Sequence, residues 1–261
     1  MGLAVQTVGG AASNPGAAFT AITPSSGDSI SAANFNDTAP AFLDHIIRAG
    51  ATKGAVRLLS PRLHDNVTGI TYYTDLAVSR FLFPANTGQP IFPGDIYQLE
   101  VTGGTAEHDV ALLTLYYADL PGAAAQLSQW ADISSRIVNI KAMTVAITNS
   151  VTPGTWVDTV ITTTENQLKA NSQYAVLGFA SDAAIAAIGF KGPETANYRI
   201  AGPGSDYTED TSNYFVDQAN RHGRPYIPVF LGSNRSQEYV STMDSAASTA
   251  ANVTLVLAEL S

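Results

Sequence analysis

The chain has 261 residues, enough for one large domain or two small ones. Hydrophobic residues make up 45% and charged residues only 13%, which predicts a sizeable core and excludes wholesale disorder. The net charge of -9 argues against a nucleic-acid groove, because such a groove needs an excess of Lys and Arg. The lack of cysteine excludes disulfide scaffolds, thiolate zinc sites and cysteine nucleophiles.

The start of the chain, residues 1–16, is rich in Gly and Ala. It lacks the basic segment and the apolar run of a signal peptide, and we interpret it as an N-terminal arm. No later segment contains about 18 consecutive apolar residues, so no membrane span is predicted.

Most of the chain after this arm has the pattern of short β-strands. Several segments are rich in β-branched and aromatic residues and alternate polar with apolar positions. Turn clusters rich in Gly, Pro, Ser and Asp separate them. About six to eight strands in each half predict a sandwich or a barrel. The clearest strand segments are 95–101, 109–120, 137–148, 155–164 and 252–260.

Two segments favour helix: 122–137, which would be a linker helix, and 212–221. Segment 38–50 could also be read as a helix. Its counterpart 159–171 opens with Thr and Ile, which crowd a helix, so we predict strand and turn for both.

Five segments of the first half recur in the same order in the second half. The strongest match joins ALLTLYYADL (111–120) to ANVTLVLAEL (251–260), which share five of ten residues. Chance similarity between two Ala/Thr-rich β sequences is the alternative, but the collinear order favours a tandem duplication. The other pairs are GQPIFP (88–93) with GRPYIP (223–228), GAVRLLS (54–60) with YAVLGFA (174–180), Asp37-Thr38 with Asp158-Thr159, and AFTAIT (18–23) with AMTVAIT (142–148).

The repeats divide the chain into a first β-sandwich over 17–121, a linker with helical potential over 122–136, and a second β-sandwich over 137–261. Most of the length difference between the copies comes from an insertion at 202–222. The predicted fold class is therefore all-β, with two tandem β-sandwich domains from an internal duplication and a short linker helix.

Two pairs of neighbouring tyrosines, Tyr72-Tyr73 and Tyr116-Tyr117, lie in predicted strands. Successive residues of a strand point to opposite faces of the sheet, so each pair places one ring on each face. We predict that one ring enters the core and the other faces solvent or a neighbour, and we favour this over a stacking site for sugars or bases.

The titratable residues form no recognised catalytic or metal-binding motif. The four histidines, His45, His64, His108 and His222, show no metal-ligand spacing, which argues against a cupin-type site. Gly27-Asp28-Ser29 resembles the nucleophile block of GDSL-type hydrolases, but no D-x-x-H follows it, so we interpret it as a turn.

Three acidic residues, Asp206, Glu209 and Asp210, cluster in a Gly/Pro-rich loop. They lack the regular spacing of an EF-hand, so we interpret the loop as solvated and keep Ca²⁺ binding as the alternative. We predict no catalytic residues, no enzymatic activity and no cofactor.

This combination resembles the double jelly-roll major capsid proteins of icosahedral, often membrane-containing, bacterial and archaeal viruses. The resemblance covers the whole chain and is one of architecture: two collinear β-sandwich copies with a repeated G-x-P-x-[FI]-P and a terminal A-x-x-T-L-x-x-A-[DE]-L. It implies that each copy is an eight-stranded jelly roll, and that three chains form a pseudo-hexagonal capsomer of the virion shell.

The same resemblance implies which partners the protein has. They would be further copies of itself, neighbouring capsomers, and minor capsid or membrane proteins of the virion, with no direct nucleic-acid binding. The insertion at 202–222 would contact another capsomer or decorate the surface.

Two other functions stay open at this point. A virion decoration, spike or surface adhesin protein with tandem β-sandwiches would bind a receptor or glycan, and should show an exposed ligand site in one copy only. A duplicated β-fold enzyme would need converging titratable groups, which the sequence does not offer.

Overall fold

The computed structural model describes residues 2–30, 41–62, 67–75, 77–83, 89–123, 125–162, 168–204 and 211–261. Strands dominate both halves of the chain. The strands of the first half are β1 (Ala4–Ser13), β2 (Thr20–Ala21), β3 (Thr23–Pro24), β4 (Ala41–Ala49), β5 (Gly54–Leu59), β6 (Ile70–Thr74), β7 (Val78–Leu82), β8 (Gln89–Pro90), β9 (Gln98–Thr102) and β10 (His108–Tyr117).

The second half adds nine strands and two α-helices. Its strands are β11 (Leu127–Ser128), β12 (Ile137–Thr148), β13 (Val157–Val160), β14 (Gln173–Ser181), β15 (Ala187–Lys191), β16 (Ile200–Pro203), β17 (Ile227–Leu231), β18 (Tyr239–Met243) and β19 (Ala250–Leu260). Its helices are α1 (Trp130–Ile133) and α2 (Tyr214–His222), with short 3-10 helices at Ser134–Arg136, Pro193–Thr195 and Gly232–Gln237. No helix in the described residues is long and apolar enough to cross a membrane.

The strands form four antiparallel sheets, two in each half. Sheet 1A has the order β3-β1-β10-β4-β7, with β8 also paired to β4, and sheet 1B has the order β2-β9-β5-β6. Sheet 2A has the order β11-β17-β14-β19-β12, and sheet 2B has the order β13-β18-β15-β16.

The two halves share one strand order. We count eight strand positions in each sandwich, with β2 and β3 sharing the second, β7 and β8 sharing the sixth, and the count in the second half starting at β12. In sheets 1A and 2A the first strand pairs with the eighth (β1 with β10, β12 with β19), the eighth with the third (β4, β14), and the third with the sixth (β7, β17). In sheets 1B and 2B the second strand pairs with the seventh, the seventh with the fourth, and the fourth with the fifth. The predicted all-β sandwich class is confirmed, and this strand order is the one that a jelly roll has.

Each sandwich encloses its own apolar core. In the first, Leu43 and Leu113 of sheet 1A pack in one cluster with Val56 and Leu99 of sheet 1B. In the second, residues of sheets 2A and 2B form another cluster, which includes Leu255. Burial of apolar surface between paired sheets is the main favourable contribution to the stability of such folds.

We predicted an N-terminal arm over residues 1–16, and this prediction is wrong for residues 4–13. They form β1, which lies between β3 and β10 in sheet 1A. This strand pairs with β10 along its whole length. The Gly and Ala residues of β1 are not typical of a strand, so the sequence did not indicate one. Glycine is needed here because β3 and β10 approach closely: a Cβ atom on Gly9 or Gly10 would overlap the backbone of a neighbouring strand.

The linker also differs from its prediction. Only Trp130–Ile133 is α-helical, and Leu127–Ser128 forms a strand paired with β17. The backbone of Ala125 donates to Leu3 O at 3.1 Å, and that of Gln126 donates to Glu194 O at 2.7 Å. These partners on both sandwiches replace the hydrogen bonds that a longer helix would make.

Other predicted elements are confirmed. The helix predicted at 212–221 is α2, which lies between β16 and β17, and the segment 38–50 contains strand β4. In the first half only residues 75–77 connect the equivalent strands β6 and β7, so the length difference between the two halves lies here.

The repeated segments match the structure in part. Segments 111–120 and 251–260 lie on the equivalent strands β10 and β19. The described part of GQPIFP (89–93) contains β8, and GRPYIP (223–228) leads into β17, both at the sixth strand position. Segments 54–60 and 174–180 lie on β5 and β14, which are not equivalent, and the same holds for 18–23 and 142–148. Asp37-Thr38 lies outside the described residues. The duplication itself stays a prediction.

Candidate functional site

The residues first considered for chemistry do not form a site in the described part of the chain. Asp206, Glu209 and Asp210 lie outside the described residues, so the Ca²⁺ alternative stays a prediction. Within the described residues, no group of three or more His, Asp or Glu could hold a metal ion.

The Gly27-Asp28-Ser29 turn joins the two sandwiches. Asp28 accepts hydrogen bonds from the Trp156 indole at 2.9 Å and the Gly9 backbone at 3.0 Å, and pairs with Arg199 at 3.4 Å. Burial raises the pKa of Asp28 despite these partners. Because Trp156 and Arg199 belong to the second sandwich, this carboxylate links the two sandwiches.

The outer face of sheet 1A is covered by the second sandwich. All nine residues of β4 are buried, although only one face of this sheet points into its own core. On the other face, Ile47 and Leu112 pack against Ala187, Ala201 and Met243 of sheet 2B. A strand that is buried on both faces carries apolar residues in succession, which explains the near-continuous apolar sequences of β4 and β10.

A buried polar network crosses this contact. Asp44 lies 3.0 Å from His45 Nδ1 and 2.6 Å from His222 Nε2, and it accepts a hydrogen bond from the Tyr226 hydroxyl at 2.8 Å. Burial alone would raise the pKa of Asp44, but the adjacent His45 and the hydrogen bond with His222 hold it well below its ordinary value. No sequence motif indicated this network.

A β-bulge explains why Asp44 and His45, which are neighbours in sequence, both enter the network. The pairing of β4 with β10 skips Asp44 between Thr114 and Leu115. A bulge of this kind places two successive side chains on one face of the sheet.

The part of β1 that β3 leaves unpaired is also covered by the second sandwich. The hydroxyls of Thr7 and Thr114 lie 2.9 Å apart across β1 and β10. Ala201 N donates to Thr7 Oγ1 at 3.0 Å, and Thr7 N donates to Arg199 O at 2.7 Å. Strand β1 is therefore fastened to β16 by backbone and side-chain hydrogen bonds.

In sheet 2A the equivalent surface is open at strand β12, whereas β14 of the same sheet is buried from Tyr174 to Phe179. Strand β12 is an edge strand of this sheet and alternates buried residues, such as Met143 and Val145, with exposed ones. Val138 and Ile140 are 63% and 52% exposed. The exposed side chains at alternate positions are uncharged: Val138, Ile140, Ala142, Thr144, Ala146 and Thr148.

The tyrosine pairs follow the predicted arrangement. Tyr117 belongs to the first core, whereas Tyr116 stacks on Phe42 at 4.9 Å between ring centroids and faces His222 and Tyr226 of the second sandwich. In the other pair, Tyr72 packs against the first core and Tyr73 is 78% exposed. The prediction of one inward and one outward ring is confirmed for both pairs.

A buried acid pair lies in the second sandwich. Glu194 and Glu238 are both buried, and Glu238 packs so closely on Gly192 that a side chain at 192 would overlap it. Burial, together with Glu194, raises the pKa of Glu238 to about 9. At neutral pH Glu238 therefore keeps its proton. The spacing of 44 residues between the two glutamates gave no sequence signal.

Comparisons with known proteins find only distant likenesses. The chain is similar to the major capsid protein P2 of bacteriophage PM2, at 10% identity and a TM-score of 0.25 over 99% of this chain and 98% of that one. It is also similar to the PBSX exported protein XepA, at 10% identity and a TM-score of 0.19 over 94% of this chain and 88% of that one. No protein-family model and no curated protein matches the chain. Both TM-scores are low, so the fold assignment rests on the strand order described above.

Proposed function

We propose that this chain is a structural shell protein, the major capsid protein of a non-tailed icosahedral virus of bacteria or archaea. In this function the chain works by contact: each copy presents surfaces that join it to further copies in the virion. Three copies would form a pseudo-hexagonal capsomer, because each contributes two sandwiches of the same strand order.

The observation that carries the proposal is the contrast between two equivalent sheet faces. Strand β4 of sheet 1A is covered by the second sandwich, whereas the outer face of β12 in sheet 2A is exposed, uncharged and partly apolar. Exposed apolar surface of this kind marks protein contacts more often than free surface, and charged residues are depleted at the centres of interfaces. A chain with one such contact made and the equivalent one open is suited to repeated assembly.

The buried groups support a structural role. Asp44, His222 and Tyr226 form the type of constellation that enzymes use, but all three side chains are sealed between the sandwiches. A substrate would have to separate the sandwiches to reach them. Their hydrogen bonds instead fix how the two sandwiches pack.

The test is the mass of the purified full chain by mass photometry and native mass spectrometry. We expect homotrimers or larger assemblies, which dissociate when the protein is diluted. A chain that stays monomeric at high concentration would overturn the proposal. In that case the adhesin alternative would gain support, and Tyr73, which borders a shallow surface depression with Lys53 and Asp75, would be its first candidate contact.

A further inference from the structure

We propose that β12 of one copy docks onto β6 of a second copy, and so repeats between copies the contact that β1 makes with β16 inside the chain. This inference rests on the proposed shell function and names the surfaces through which the copies join. It starts from the strand order: β1 and β12 are the first strands of their sandwiches, and β16 and β6 are the fifth.

Two threonine pairs, one in each sandwich, show which residues of β1 and β12 are equivalent. Thr7 pairs with Thr114 across β1 and β10, and Thr144 pairs with Thr254 across β12 and β19. Thr114 and Thr254 are matched residues of the repeat that ends each sandwich. The hydroxyls lie 2.9 Å apart in the first pair and 3.2 Å apart in the second.

The two threonine pairs differ in burial: one is covered by a strand of the other sandwich, and the other is exposed. In the first sandwich, Ala201 N donates to Thr7 Oγ1, and the pair is buried under β16. In the second sandwich, the Thr144–Thr254 pair is exposed, and β12 pairs only with β19 in the described part of the chain. A long edge strand with open backbone groups and exposed Val and Ile is a site for pairing with another chain.

The surface that would cover β12 has its own apolar residues. Strand β6 begins with the inward-facing Ile70, as β16 begins with Ile200, so Thr71 holds the position of Ala201. Tyr73 on β6 is 78% exposed, and Val67 just before it is 73% exposed. Exposed apolar residues therefore occur on the two strands whose equivalents already touch inside the chain.

A second copy of this chain fits β12 better than a charged partner would. The exposed positions of β12 are uncharged, and the chain as a whole carries a net charge of -9. The open side of β12 presents no charge, so a second acidic copy meets no like charge there. Because β12 and β6 are different surfaces, the contact runs head to tail, and such a contact closes into a ring when its rotation allows.

Cysteine cross-linking tests the contact directly, because the chain has no cysteine of its own. We would prepare two full-length chains that each carry one cysteine, Thr144→Cys and Thr71→Cys, and mix them under mild oxidation. Every disulfide must then join two copies. We expect the mixed-variant dimer to form several-fold more than in a control mixture of Thr144→Cys with Ile96→Cys, since Ile96 is exposed but lies outside β12 and β6.

A substitution on the open face gives an independent readout. Ile140→Asp places a charge at a position that is exposed in the monomer, so the fold should tolerate it while the trimer peak is lost. The matched control is Val151→Asp, which changes an exposed valine in the turn after β12 and should leave assembly unchanged.

The outcomes separate this inference from the shell function. If the wild-type chain assembles but the Thr144–Thr71 disulfide is no more frequent than the control, and Ile140→Asp still assembles, the docking surface is wrong and the shell function stands. If the wild-type chain is monomeric at all concentrations, the shell function and the docking surface are both overturned.

Discussion

Sheets 1A and 2A are two versions of one structure in different surroundings. Both begin with a long first strand paired to the last strand of the sandwich, and both carry a threonine pair across those strands. Strand β4 of sheet 1A is buried on both faces, and the outer face adds a polar network centred on Asp44. In sheet 2A, β12 keeps an alternating pattern and exposes its outer face.

The surroundings of a sheet face, and not its strand order, determine its chemistry in this chain. Where the second sandwich covers sheet 1A, each buried polar group that enters the contact needs a partner, and Asp44 has three. Where the face of sheet 2A is open, water can satisfy Thr144, so no such network is needed. The covered face should therefore be much more sensitive to loss of a polar group than the open one.

The largest expected effect comes from removing the centre of the covered network. Asp44→Ala leaves His222 and Tyr226 buried without their acceptor, and we expect a loss of about 3–5 kcal/mol in the free energy of unfolding. Urea denaturation followed by tryptophan fluorescence would measure it, because Trp156 lies at the contact between the sandwiches.

Asp182→Ala is the matched control for this experiment. Asp182 accepts hydrogen bonds from Asn252 at the exposed end of sheet 2A. We expect little change in stability, because water replaces an exposed hydrogen bond. Equal losses for the two variants would contradict the contrast between the covered and open faces.

The next effect concerns the pH dependence of the covering sandwich. Glu238 has a pKa of about 9 in the folded chain and an ordinary value of 4.5. The folded state thus holds a proton that the unfolded state releases, so the contribution of this group is complete below about pH 4.5 and is lost as the pH rises toward 9. The slope is at most about 1.4 kcal/mol per pH unit.

Glu238→Gln should flatten this part of the stability profile, because an amide cannot lose the proton. As the pH rises from 6 to 8, the variant should lose less stability than the wild type. Thermal unfolding across this range would measure it, with Asp75→Asn as an exposed control. This difference in stability should include the linker, because the Gln126 backbone donates a hydrogen bond to the backbone of Glu194. Parallel profiles for Glu238→Gln and the wild type would contradict the interpretation that Glu238 is protonated in the folded chain.

The sequence predicted the elements whose signal is local. The alternation of β12, the amphipathic stretch that forms α2, and the opposed rings of Tyr72 and Tyr73 each depend on neighbours along the chain. These elements lie where predicted because burial of one face imposes its period on the sequence.

The features that the sequence did not predict depend on contacts between distant segments. Strand β1 has a loop-like composition because neighbouring backbones leave no room at Gly9 and Gly10. Asp44 joins the network through a bulge, and a bulge depends on the pairing of β4 with β10. Segments on strands that are not equivalent matched because buried strands share the same few residue types, so similarity in composition was mistaken for equivalence in position.

The smallest expected effect comes from a threonine-to-valine substitution made at each of the two threonine pairs. Because the change is the same at both, it compares the covered strand β1 directly with the open strand β12. Thr7→Val keeps the shape of the side chain and removes the acceptor of Ala201 N, which leaves a buried donor unsatisfied; we expect a loss of about 1–3 kcal/mol. Thr144→Val should change the stability of the monomer by less than about 0.5 kcal/mol, since this pair is exposed. Urea denaturation at a protein concentration below that of assembly gives both values. If Thr144→Val costs as much stability as Thr7→Val in the monomer, then the open face is already covered within the chain, and β12 is not free to accept a second copy.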